Sequence, residues 1–432
     1  VLTTIDLRDL SGPVADHLPR PSTPADGPVE AVREILREVS QRGDAALRDL
    51  TERFDNVVLD SFHVGAAEIS AARQRVAPEV LSALEAAAES ITEYHRLQLP
   101  DGVTFTRPGV RIDGLHRPVQ RAGCYVPGGR AVYPSTVLMT AIPARVAGVA
   151  EVVLCVPPGP DGRVPDVTLA AASVAGVDEV ISVGGAQAIG AIAYGTESIR
   201  PVDVIVGPGN VYVALAKQEV AGLVGVPSSF AGPSEVVVVA DGSVSPAFAA
   251  ADLILQAEHG PDGLAWLVTW SPTFADDVSA AVEQQVAEAP RRADIEATLA
   301  KSGFSVICSS PRQAIEVANF IAPEHLELQT SDPESLLPLV KNAGAVFCGE
   351  WAPASLGDYM AGPSHVLPTN GTSRFASALT VHDFMKDIHV VSVDRSGFET
   401  MADHVIALAD AEGLAAHADS IRIRRAAGAT DG

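Results

Sequence analysis

Positive charge is what this 432-residue chain has least of: 30 Lys and Arg stand against 54 Asp and Glu, a formal net charge of −24. A balance this acidic disfavours nucleic acid and anionic membrane as partners, since either requires clustered cations. Long apolar runs are missing too. The most apolar region, AGVAEVVLCVPPG, is broken by Glu151 and two prolines, so nothing reaches the roughly 18–20 residues that a membrane span needs. The first residues, VLTTIDLRDL, have neither a basic start nor an apolar secretory core, which predicts a cytoplasmic chain. Cysteine is sparse and scattered. Cys124, Cys155, Cys308 and Cys348 follow no CxxC spacing; three lie in or beside apolar strand-like runs and are expected as buried reduced thiols, while Cys124 adjoins a glycine loop.

What is present is apolar material, 47% of residues against 19% charged, in a chain long enough for two or three domains. From about residue 28 to 98, apolar residues recur at intervals of three and four, predicting helices punctuated by Gly43 and Pro78. Beyond residue 117 short β-branched runs alternate with Ala-rich helical segments: VISVGG with AQAIGAIAYG, VDVIVGPG with NVYVALAKQEVAG, SEVVVVAD with PAFAAADLILQAEHG. Strands so uniformly apolar are buried on both faces, and helices between them imply parallel crossovers. The fold class is α/β with two Rossmann-like, doubly wound lobes. A second set, LAWLVTW, GFSVICSS with a helix over 311–321, and AGAVFCG, extends the pattern. Residues after Gly362 form a long loop, and two helices, about 398–410 and 412–426, close the chain.

Ligands of open α/β sheets bind at strand carboxyl ends, beside helix N-termini. Three glycine-rich turns belong there: GCYVPGG (123–129), VGGAQAIG (183–190) and VGPGNVY (206–212). None fits GxGxxG, yet together they suit a phosphate-bearing cofactor. Seven of the eleven histidines lie beyond residue 250. Gln256 and His259, three apart at the end of a predicted helix, share a face; a lone histidine there is more often a cap favoured by the helix dipole than a ligand. Asp358 in SLGDYMAG and His417 in EGLAAHA could complete a catalytic metal site, but spacing brings none of them together. In APEHLE, Glu324 and His325 read either as a turn before a helix start or as an acid/base pair.

Eight strings in order, among them GCYVPGGRAVYPSTVLMTAIPARVAGV, VDVIVGPGNVYV, AGPSEVVVVAD, QAEHG, PEHLEL and GDYMAGPSHVLPT, resemble the histidinol dehydrogenases over about residues 113–420. The resemblance implies a homodimer that oxidises L-histidinol through its aldehyde to L-histidine and reduces two NAD. It implies one Zn²⁺ per subunit on Gln256, His259, Asp358 and, from the partner, His417. It further implies Glu324 and His325 as the catalytic pair, Ser234, His365 and Glu412 as substrate contacts, and Tyr125, Gln187 and Asn210 as NAD contacts. On this reading residues 1–112 with 232–374 form one lobe with metal and catalytic pair, 113–231 the NAD lobe, and 375–432 a dimerisation tail. One departure from the family pattern, VGVPSSF at 224–230, predicts an altered cleft wall.

Three other readings compete: a zinc dehydrogenase for a different amino or sulfonated alcohol, a metal-dependent hydrolase using Glu324 to activate water, and a non-catalytic metal-binding module. GDY before HVLPT, together with Glu412, favours histidinol over the first. The glycine turns argue against the second, and the third leaves Glu324 and His325 without a role.

Overall fold

The computed structural model describes residues 2–9, 12–19, 27–128, 132–228, 232, 234–258 and 263–428. They form two compact units, one running to Gln98 and from Val119 to Phe384, the other from Leu99 to Pro118 and from Met385 onward.

The larger unit holds two sheets. One has six parallel strands in the order Thr3–Asp6, Gly303–Ile307, Leu264–Thr269, Glu235–Ala240, His325–Gln329, Ala345–Cys348. The other has five, His63–Val64, Glu179–Ile181, Glu151–Cys155, Arg121–Tyr125 and Val204–Val206, parallel except for the first. Leaving out Thr3–Asp6, Ala345–Cys348 and His63–Val64, both sheets run third, second, first, fourth in chain order, the doubly wound arrangement expected from the alternating text. Each strand order reverses once, between Glu235–Ala240 and His325–Gln329 in one sheet and between Arg121–Tyr125 and Val204–Val206 in the other.

Cover on both faces explains the apolar strands. Val236, Val238 and Ala240 pack with Leu253, Val278 and Leu299, while the alternate residues Val237 and Val239 pack with Ile315, Ala318 and Leu326. The strand His325–Gln329 departs from this rule. Leu326 and Leu328 join the apolar side, which leaves His325, Glu327 and Gln329 buried on the other.

The N-terminal helices, expected with the 232–374 lobe, pack instead on the five-stranded sheet. The helices Val29–Arg42 and Asp44–Asp55 insert Ile35, Val39, Leu47 and Leu50 among Ile181, Ile189 and Ile205. Helix Ala66–Arg75 packs on Asp166–Val174, and Pro78–Arg96 on Pro134–Ala147. They pack on the crossover helices of that sheet, a pairing that periodicity within each segment could not specify. Only the strand Thr3–Asp6 joins the six-stranded sheet as the expected boundary implies.

The smaller unit is a three-stranded antiparallel sheet, Met385–Val393, Val110–Pro118 and Val103–Arg107, with helices Arg395–Ala411 and Ala415–Gly428 packed on each other. Both helices were expected; the strands were not. Cys124, Cys155 and Cys308 are buried thiols, whereas Cys348 is exposed, because alternation along its edge strand turns it outward. Among the described residues no helix is long and apolar enough to cross a membrane.

Candidate active site

Glu324 and His325 begin a strand, not a helix. Helix Pro311–Ile321 ends at Ala322, whose φ of +53° is a conformation uncommon for a side-chain-bearing residue, and Pro323 leads directly into the pair. The turn places both residues at the reversal of the six-stranded sheet, but at its amino end. Helix Pro246–Ala257, running back from the neighbouring strand, delivers Gln256 to the same end.

The His325 ring is 4% exposed and held from two sides. Gln256 Nε2 lies 2.9 Å from Nδ1, with the Glu235 carbonyl oxygen at 3.2 Å and Glu324 Oε2 at 3.6 Å from the same nitrogen. Asp358 Oδ1, from helix Ala354–Tyr359, stands 3.4 Å from Nε2. Burial opposes charge on the imidazole, but the carboxylates of Glu324 and Asp358 outweigh it and push its pKa up to about 9. Burial also raises Glu324, whose Oε2 accepts the Glu235 N–H at 3.0 Å; the Ser234 hydroxyl is among the groups favouring its charged form.

His365 completes the cluster: its Nδ1 lies 2.9 Å from the Asp358 carbonyl oxygen and its Nε2 3.1 Å from Thr136 Oγ1 on the other lobe. Six expected residues, Ser234, Gln256, Glu324, His325, Asp358 and His365, are thus gathered by contact. Of the other residues expected here, His259 lies outside the described residues, and Glu412 and His417 are exposed in the smaller unit.

Among the described residues no three His, Cys, Asp or Glu side chains close around one point. The expected donor set is of another kind, with an amide, a carboxylate and imidazoles from separate segments. One observation fits it: Gln256 Oε1 is buried with no hydrogen-bond partner, although its Nε2 is engaged by His325. Amide oxygen, carboxylate and imidazole together suit a borderline divalent cation such as Zn²⁺.

Sequence reasoning missed a second polar tier behind the first. Asp252, one helical turn before Gln256, and Glu327, two strand residues after His325, face each other with Gln329 Nε2 donating to both, at 2.6 and 2.8 Å. Glu327 Oε1 accepts the Ala354 N–H at 2.9 Å, at the start of the helix carrying Asp358. Burial, then the Asp252 charge, pushes the Glu327 pKa up, and burial raises Asp252 as well. Its signal was legible: HLELQ alternates polar and apolar residues inside a sheet otherwise apolar on both faces.

The reversal of the five-stranded sheet opens a cavity of about 860 Å³ at its carboxyl end. Tyr125, Gln187 and Asn210 all line it, each from one of the three glycine-rich turns. The Tyr125 hydroxyl accepts the Gly185 N–H at 3.0 Å, and Asn210 caps helix Val211–Val220 by accepting from Tyr212 and Val213. Gly207 has φ of +107°, and a Cβ there would stand 2.0 Å from the Tyr125 carbonyl oxygen, so only glycine lets this turn meet the neighbouring strand. Tyr133 lines the cavity and also acts electrostatically on Tyr359, the neighbour of Asp358.

Residues 18–425 match the family model described as histidinol dehydrogenase. A histidinol dehydrogenase of Synechococcus sp. is 47% identical over 398 residues, covering 91% of this chain and 92% of that protein. One of Methanothermobacter thermautotrophicus is 44% identical over 421 residues, 97% of this chain and 94% of its own length. The crystal structure of histidinol dehydrogenase from Elizabethkingia anophelis superposes with a TM-score of 0.93 at 34% identity, covering 99% of this chain and 98% of that one.

Proposed function

Because the chain belongs to the histidinol dehydrogenase family and has that activity in histidine biosynthesis, we propose that the cluster around His325 carries out both oxidations, alcohol to aldehyde and aldehyde to acid, with NAD in the cavity at Tyr125, Gln187 and Asn210. The observation that carries the reading is the buried Glu324–His325 pair, flanked by an amide oxygen without a partner and by a carboxylate.

Gln256, His259 and Asp358, with His417 of a second copy, would hold Zn²⁺. When bound, the ion fixes the substrate's imidazole and amine, so that binding energy is spent on orientation. Cationic charge at Asp358 would offset one of the two carboxylates that raise the His325 pKa, favouring the neutral imidazole that a base requires.

His325 takes the hydroxyl proton as hydride leaves the same carbon for the nicotinamide. The aldehyde then needs water. Glu324 removes a proton from the attacking water while His325 returns the proton it holds to the carbonyl oxygen, giving the hydrate, and the freed imidazole then accepts the hydrate's hydroxyl proton as the second hydride departs. Two hydrides and one water oxygen account for the change from alcohol to carboxylate. Ser234 and His365 border the space beside Glu324 and Asp358 and are assigned to substrate contact.

Glu412, exposed at the end of helix Arg395–Ala411, and His417, exposed on the last helix, are assigned to the active site of a second subunit. The smaller unit offers an interface: its nine-residue edge strand Met385–Val393 is unpaired along one side and exposes Ile388, Val390 and Val391.

Product analysis with histidinol and NAD tests the reading, and two reduced cofactors per histidine are expected. Glu324→Gln should oxidise histidinol yet stall on added histidinaldehyde, while His325→Asn should lose the first step. Equal loss of both half-reactions in Glu324→Gln would refute this division of labour.

A further inference from the structure

In a dinucleotide-binding sheet of this strand order, an acidic residue at the end of the second strand accepts the adenosine ribose hydroxyls. Here the second strand, Glu151–Cys155, runs out into Val156, Pro157, Pro158, Gly159 and Pro160, which line the cavity without one ionisable side chain. The next acid, Asp161, is exposed and caps the Arg163 N–H.

A carboxylate reaches the same place from outside the sheet's own winding. Asp55 lines the cavity. It ends helix Asp44–Asp55, and Asn56, in the left-handed region at φ 57°, turns the chain so that Val57 and Leu59 lie over the loop after the second strand; a Cβ on Gly162 would meet Val57 at 3.3 Å and Leu59 at 4.0 Å.

Three features make Asp55 costly where it stands. It is half-buried with burial raising its pKa, its Oδ2 is inaccessible and has no hydrogen-bond partner among the described residues, and it carries negative charge at a helix C-terminus, where the macrodipole opposes it. No salt bridge among the described residues compensates it. The Arg53 guanidinium stacks 5.1 Å from the Phe54 ring but does not line the cavity, whereas Phe54 itself, 48% exposed, presents an apolar face there. A carboxylate-bearing residue in the cavity wall beside an exposed aromatic ring matches a ribose next to a purine.

We infer that Asp55 selects the cofactor: its carboxylate accepts the adenosine ribose hydroxyls of NAD and repels the 2′-phosphate of NADP. The inference rests on the proposed reading of this cavity as the NAD site. A 2′-phosphate both removes a donor that Asp55 needs and brings a further charge of about −2 against it.

Binding separates the two ideas, because it needs no turnover. Calorimetric titration of ADP-ribose and 2′-phospho-ADP-ribose would be run on the wild type, Asp55→Asn and the charge-keeping Asp55→Glu, with melting temperatures checked for each. The wild type should prefer ADP-ribose by about 100-fold or more, and Asp55→Asn should narrow that gap below about 10-fold, chiefly by admitting the phosphorylated ligand. Asp55→Glu should keep the exclusion, and the uncharged Asp55→Ser stands in for Asn if that variant fails to fold. A wild type that binds both ligands equally, or an Asn variant with an unchanged gap, overturns the inference while leaving the cavity as the cofactor site. Binding of neither ligand overturns both.

Discussion

Replacing Lys217 with methionine should make this chain more stable at neutral pH, although the lysine makes a hydrogen bond that methionine cannot. Lys217 sits within helix Val211–Val220, 3% exposed, with Nζ donating to the Gly207 carbonyl at 2.9 Å. Burial alone accounts for the depression of its pKa from 10.5 to about 8; no carboxylate contributes. A depression of that size corresponds to about 3 kcal/mol of stability withheld whenever the amine is charged in the fold. Methionine keeps the apolar stem and removes the charge, but it leaves the Gly207 carbonyl short of a donor, at about 1–2 kcal/mol. The variant should therefore gain about 1–2 kcal/mol at pH 7. Because the unfolded lysine binds its proton more tightly than the folded one, wild-type stability rises between about pH 8 and 10.5 relative to the variant. Above that window only the lost hydrogen bond remains, and the order should invert. Denaturant midpoints of both proteins at pH 7, 9 and 10.5 follow the crossing, since other titrating groups are common to both. A variant less stable at pH 7, or a gap that does not change with pH, would refute the reasoning.

Substitutions at two further positions probe the sites. Glu327→Gln keeps an acceptor for the Ala354 N–H and a donor toward Asp252, so it should hold bound Zn²⁺ nearly as the wild type does; Glu327→Ala should lose it, together with about 2–4 kcal/mol of stability, as read by chelator competition and unfolding. Gly207→Ala drives a Cβ to 2.0 Å from the Tyr125 carbonyl oxygen at a φ of +107°, and should weaken NAD binding at least about 10-fold at unchanged Zn²⁺ content, measured by calorimetry and metal analysis.

Glu324 and His325 also show how much of the site could be read in advance. A carboxylate beside an imidazole in APEHLE suggested chemistry, but nothing local told a helix start from the first pair of a strand. Ala322 in a left-handed conformation turns the chain there, and the strand that follows pairs His325 with Val236, far earlier in the chain. The three glycine-rich turns were legible as turns at strand carboxyl ends, and residues of all three line one cavity. The place of Asp55 was not, since a single acid at the end of an amphipathic N-terminal helix carries no pattern; it lines the cavity because that helix packs on helix Gly185–Tyr194.

Composition and period thus determined on their own that the chain is an α/β protein with apolar strands covered on both faces, because burial on two sides leaves no room for alternation. They also determined which turns need glycine. Tertiary structure alone decided that the N-terminal helices cover the second sheet rather than the first, and that Gln256, Glu324, His325 and Asp358 meet at strand amino ends. The physical reason is common to both: a period records which face of an element is buried, whereas the partner of that face is chosen by packing among segments far apart in the chain, and so is the charge of every titratable group those segments enclose.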